Sequence, residues 1–132
     1  MVCDHASEAF VEYVGMGEEY TRETRGSWVV LEAHATFSRE LRRDDPLRVE
    51  TRVLAHDAKR VHLFHTLYHA GEDHQAATVE LMLMHVDLEA RRASPFPPAV
   101  LARVRQVADA HVALPRPPEV GRVISLPAPR PT

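Results

Sequence analysis

The chain has 132 residues, 45% of them hydrophobic and 27% charged, with a formal net charge of −3. That is the size and balance of one globular domain, and the charge points away from a nucleic-acid or membrane partner. The single cysteine, Cys3, excludes an internal disulfide and a cysteine-based zinc pattern; no apolar run reaches spanning length and no signal peptide opens the chain, so a reducing, cytoplasmic setting is expected.

Residues 1–14 predict a helix. Cys3, Ala6, Phe10, Tyr13 and Val14 form an apolar stripe at three- and four-residue steps, with Asp4, Glu8 and Glu12 on the other side. Gly15 and Gly17 supply the stop. The helix is already under way at residue 1, so its first amides lack an evident partner. The expectation is a preceding segment or a covering partner chain. Residues 18–26 are polar and predict a loop with a short helical turn.

Alternation over residues 27–37 predicts the first strand, with Val29, Leu31, Ala33, Ala35 and Phe37 on the core face. Trp28, Val30, Glu32, His34 and Thr36 take the other face. Asp44, Asp45 and Pro46 mark a turn. A half-buried strand follows, with Leu47, Val49, Thr51 and Val53 inward and Arg48, Glu50 and Arg52 outward. A third strand covers 60–70 and a fourth 75–87. The fourth is apolar on both faces, as befits a central strand covered above and below by helices or by another subunit. Pro97 and Pro98 open an amphipathic helix reaching residue 112. Beyond Leu114 six prolines predict an extended or disordered tail. The chain thus divides into a domain over 1–114 and a proline-rich tail over 115–132. Two sheet edges and leftover apolar surface predict a homo-oligomer, a dimer or tetramer joined sheet edge to sheet edge.

Three patterns carry a family resemblance. The helix from Asp4 to Phe10 runs into Val14-Gly15-Met16-Gly17; Glu32-Ala33-His34-Ala35-Thr36-Phe37 precedes Asp45-Pro46-Leu47; and Val53-Leu54-Ala55-His56-Asp57-Ala58-Lys59-Arg60-Val61-His62-Leu63-Phe64-His65 continues into Leu83-Met84-His85-Val86-Asp87. Together they resemble the hotdog-fold acyl-CoA thioesterases of the 4-hydroxybenzoyl-CoA thioesterase type, and most of all their betainyl-CoA thioesterase branch of carnitine breakdown. The resemblance implies an α+β hotdog fold, an antiparallel sheet wrapped around a long N-terminal helix, with a short C-terminal helix. It implies hydrolysis of a small polar acyl-CoA, with CoA entering as part of the substrate and no separate cofactor. The family carries an Asp, or an Asn-Gly-His element, on a loop ahead of this helix, and no residue here matches that position. The expectation is therefore either an omitted upstream segment or a shortened member. The alternative function is a non-catalytic hotdog subunit that binds acyl-CoA or supports an oligomer.

Thioester hydrolysis needs oxyanion donors and a base or nucleophile. The resemblance assigns the first role to amides near residues 1–4, at the positive end of the helix. Asp4 is the candidate base, weighed against an ordinary first-turn carboxylate that complements the dipole. Ser7, one turn on, is a candidate to bond substrate or Asp4, weighed against a solvated helix serine. Glu32 and His34 share a strand face as a base-and-orienter pair or as contacts to a cationic acyl group, weighed against a cross-strand polar pair. With Trp28, a carboxylate suits a trimethylammonium group. Lys59 and Arg60, with Arg39, Arg42 and Arg43, are candidates for the CoA phosphates, weighed against solvated basic turns. Nine histidines invite a metal reading, but their spacing along the strands provides no set of ligands for one ion. His85 is expected to be a satisfied core or interface histidine.

Overall fold

The computed structural model describes residues 2–128. The element order is α1 (Val2–Tyr13), α2 (Glu18–Thr24), β1 (Gly26–Phe37), β2 (Leu47–His56), β3 (Arg60–His69), β4 (His74–Asp87), β5 (Arg92–Ala93) and α3 (Pro98–His111). The expected elements are all present, and the polar segment after Gly17 is a helix of seven residues rather than a loop with one turn. The C-terminal helix, expected to be short, is the longest of the three at 14 residues.

Gly15 ends α1 at φ 94°. Its amide bonds the Glu12 carbonyl, while that of Met16 reaches back to Val11 at 2.7 Å. These two bonds close a Schellman motif, and the left-handed residue it requires is the glycine at this position.

All strand pairs are antiparallel, in the order β1-β4-β3-β2, with β5 paired to the end of β4. One sheet face carries the helices. Its core is Phe10, Val11, Val14 and Met16 beneath α1, Val100 and Val104 of α3, Phe96, and Val53, Val61, Leu63, Leu81 and Leu83 from the strands. On the opposite, outer face, Arg52, Phe64, Glu80 and His34 stand side by side in one row across β2, β3, β4 and β1.

The first strand departs from simple alternation. Val30 pairs with Leu83 and Glu32 with Met82, so Leu31 is an extra residue in a bulge. A bulge reverses the facing of everything on one side of it. Trp28, opposite buried His85, and Val30, opposite Leu83, therefore share the helix face with Ala33 and Ala35, while Glu32 and His34 lie on the outer face. This corrects the expectation that Trp28 and Val30 accompany Glu32 and His34.

The described part of the proline-rich segment, residues 115–128, contains no helix or strand, yet it is tied down. The Arg52 guanidinium donates to the Pro115 carbonyl, the Gln75 amide to the Glu119 carboxylate at 3.0 Å, and the Gly121 amide to the Glu80 carboxylate at 2.8 Å. The segment over 115–121 is thus a strap running along the Arg52–Phe64–Glu80 row. Phe64 beneath it is 2% exposed. Around Phe64 the cover over the outer face is the chain's own tail, not a helix layer.

Candidate active site

Two hydrogen bonds orient the helices on the sheet. Ser7 of α1 meets His65 at 2.8 Å, and Tyr20 of α2 meets His85 at 2.7 Å. Val79, the β4 partner of His65, precedes His85 along that strand. The α1–α2 unit therefore descends alongside β4, and the first turn of α1 points toward the sheet end where β1 finishes and β2 begins. Two recesses open there. A groove of about 760 Å³ lies between α1 and α3 and includes His5, Ala6, Phe10, Thr51 and His111 in its lining. A cleft of about 520 Å³ is bounded by Phe37, Leu67, Ala77 and the loop carrying Arg39. Helix N-terminal amides with a cleft next to them can receive a developing negative charge.

Asp4 lies exposed on the first turn of α1. Ser7 does not point to solvent. It is 2% exposed, and its hydroxyl joins a chain in which His65 Nε2 meets Ser7 at 2.8 Å and His65 Nδ1 meets Thr51 at 2.9 Å. His65 is fully buried, and burial holds its pKa down at about 4. The neutral ring donates from one nitrogen and accepts on the other, so the two hydroxyls satisfy both. The chain pins α1 to β3 and β2 one turn behind the candidate amides.

Glu32 and His34 lie across the sheet from Asp4 and Ser7, so the four side chains do not converge on one site. His34 instead faces Glu80 in the outer row. Burial pushes the Glu80 carboxyl up, but the Gly121 amide, the His62 ring at 2.6 Å and His34 outweigh it and hold its pKa below the ordinary value.

The basic candidates also separate. Arg43, with Arg39 and Arg42, belongs to the connection between β1 and β2, at the end toward which α1 points. Lys59 and Arg60 form the β2–β3 turn at the other end, about 30 Å away along a ten-residue strand. Arg60 grips Asp57 at 2.6 Å. Burial raises the Asp57 pKa, but the Lys59 amide and the Arg60 amide and guanidinium outweigh it and hold it below the ordinary value. Arg60 and Arg43 of one chain do not hold the same phosphate.

Among the described residues no three His, Cys, Asp or Glu side chains are placed to hold a metal ion. His85 is 4% exposed and bonded to Tyr20 and to Ser94 at 2.9 Å, as expected of a satisfied core histidine. No helix among the described residues is long and apolar enough to cross a membrane.

The sequence reading missed His65 as the partner of Ser7 and Thr51 as the partner of His65. The available signal was a polar residue on the inward-facing phase of a strand, where burial demands a hydrogen-bond partner.

Comparison with known proteins places this geometry among relatives. The profile of the thioesterase-like superfamily matches residues 1–104. A betainyl-CoA thioesterase of Pseudomonas aeruginosa is 40% identical over 127 residues, 96% of this chain and 80% of that protein. A two-function L-carnitine dehydrogenase/betainyl-CoA thioesterase from Rhizobium sp is 31% identical over 89% of this chain, which spans 24% of that longer protein. Among solved structures, a Staphylococcus aureus protein in complex with CoA superposes with a TM-score of 0.90 at 25% identity, covering 96% of this chain and 79% of that one. A putative thioesterase of Pseudomonas putida KT2440 superposes with a TM-score of 0.78 at 31% identity, covering 93% and 78%.

Proposed function

The chain belongs to the thioesterase-like superfamily, and from that premise we propose that it hydrolyses acyl-CoA thioesters, with betainyl-CoA the leading substrate. The observation that carries this reading is the 40% identity to a betainyl-CoA thioesterase along 96% of the chain. The geometry supports it in three respects. The α1 amides aim their partial positive charge at the end of the sheet where two recesses open. A carboxylate, Asp4, lies on the same helical turn. The loop bearing Arg39, Arg42 and Arg43 lies at that end, where cationic donors suit the CoA phosphates.

In this mechanism the thioester carbonyl oxygen rests on the first-turn amides of α1. Asp4 takes a proton from water as the oxygen attacks the carbonyl carbon. The tetrahedral intermediate then expels the CoA sulfur, protonated Asp4 returns its proton to that sulfur, and CoA leaves as the thiol with the free acid. The amides contribute more to the oxyanion than to the ground-state carbonyl, which is the condition for lowering the barrier.

We also place self-association on β1. Val29, Val30 and Leu31 are 39%, 48% and 50% exposed there, an apolar run along an open edge. The opposite edge is partly stopped, since His111 of α3 accepts a bond from the Val53 amide at 3.1 Å.

The test is thiol release from a panel of CoA thioesters that includes betainyl-CoA. Asp4→Asn should lower kcat by about 100-fold or more, the scale of general-base loss, with KM little changed. Tight CoA-ester binding without turnover in the unmodified chain would instead identify the non-catalytic subunit.

A further inference from the structure

The connection between β1 and β2 carries three arginines and is fixed at both ends. At its start, the Ser38 and Arg39 amides both donate to the Ala76 carbonyl of β4, at 2.8 and 3.2 Å. At its end, the Pro46 carbonyl accepts from the Ala70 amide at 2.8 Å, which ties it to the end of β3. Between these anchors one residue closes the loop on itself. The Asp45 amide donates to the Arg42 carbonyl at 3.1 Å, and the Asp45 carboxylate accepts from the Arg42 amide at 2.6 Å. Asp45 thus holds Arg42 by both of its backbone polar groups. The other carboxylate oxygen lies 3.7 Å from His69 Nε2, and both side chains are mostly buried. His69 Nδ1 accepts the Glu72 amide at 3.0 Å, so the neutral ring carries its proton on Nε2, toward Asp45. Asp45 therefore joins the arginine turn to the end of β3. The arginines themselves are left exposed. Among the described residues Arg48 pairs with Glu50 and Asp73, and Arg60 with Asp57, while Arg42 and Arg43 meet no carboxylate side chain.

We propose that Asp45 is a positioning residue for CoA: it fixes the turn from which Arg42 and Arg43 reach the nucleotide phosphates. The inference rests on the reading that this loop meets those phosphates. Charge and position act in opposite directions at Asp45. A carboxylate beside a phosphate weakens binding by repulsion. A turn already ordered strengthens it, because less freedom is lost when the guanidinium groups settle on the ligand. The proposal is that order outweighs repulsion, since the carboxylate is spent on the Arg42 amide and faces His69 rather than open solvent. The two readings predict effects of opposite sign when the carboxylate is removed.

Calorimetric titration tests it, with CoA and with pantetheine, which has the same thiol arm and no phosphate. The chains are the unmodified one, Asp45→Ala, Asp45→Asn and Arg43→Ala, with thermal melts confirming that each folds. Asp45 lies in a connecting loop outside the apolar core, so its substitution leaves the fold in place. Asp45→Ala should weaken CoA binding by about tenfold, the scale of one charge-assisted bond to phosphate, and leave pantetheine binding unchanged. Asp45→Asn keeps an oxygen to accept the Arg42 amide and should restore CoA affinity. CoA bound equally or more tightly by Asp45→Ala, with Arg43→Ala weakened, overturns the positioning role and leaves the phosphate reading standing. So does an Asp45→Asn as weak as Asp45→Ala, or an Asp45→Ala that loses CoA and pantetheine alike. If Arg43→Ala binds CoA normally, or the unmodified chain does not bind it, the phosphate reading fails and the proposal fails with it.

Discussion

At the scale of single residues, His65 links fold and environment most directly. It is buried as a neutral ring between Ser7 and Thr51, with a pKa of about 4 against 6.5 in the free side chain. Its folded pKa is depressed, so the unfolded chain binds the extra proton between those values, and stability falls as pH drops from about 6.5 to 4. The span corresponds to about 3 kcal/mol at most. Acid unfolding followed by circular dichroism should show that slope, and His65→Gln should remove it at the cost of a lower stability at pH 7. Arg43 and Arg60 permit a second comparison. Arg43→Ala should raise KM for a CoA thioester by about tenfold, the scale of one charge-assisted bond to phosphate, while Arg60→Ala should leave KM unchanged and loosen the turn it makes with Asp57. Candidates such as Asp4 and Arg43 could be named from the sequence; how they group could not. Which residues cluster depends on which face of the sheet and which end of a strand each occupies, and a residue's neighbours along the chain do not determine this.

At the scale of elements, periodicity foretold α1, α3 and four strands because each must bury one face. The glycine exit of α1 was readable for the same local reason. Alternation failed at Leu31, where one extra residue moves Trp28 to the helix face, and no composition signal marks a bulge among Val29, Val30 and Leu31. The cluster below Trp28 shows how tightly that end is built. Tyr20 reaches His85, and a Cβ on Gly26 would lie 2.5 Å from the Tyr20 hydroxyl. Gly26→Ala should therefore push the Tyr20 ring off His85 and cost about 1–3 kcal/mol, the range for overpacking, measurable by urea unfolding. Gly26→Ala combined with Tyr20→Phe should recover little of that cost, because the ring carbons Cε1 and Cζ, which the Cβ would meet at 2.6 and 2.7 Å, remain.

At the scale of the whole molecule, a single sheet carries helices on one face and a strap on the other. The proline-rich composition was legible as a segment that forms neither helix nor strand over its described residues, but not as one with a fixed path. That path is set by Arg52, Gln75 and Glu80, which come from two strands and stand together only after the sheet has formed. Removal of residues 115–132 should uncover Phe64 and lower stability by about 2 kcal/mol, the worth of burying one large apolar side chain. Bound CoA should raise the melting temperature of the full chain in proportion to the logarithm of its concentration. The strap has a further consequence during synthesis. Residues 115–121 leave the ribosome after every strand they rest on. While the chain is still tethered, Phe64 faces water on a sheet that is otherwise complete, and nascent chains on one message are exposed to one another through that face. Emergence of residues 115–121, not formation of the sheet, closes this window, so a stop codon near position 114 yields a chain in which Phe64 is never covered.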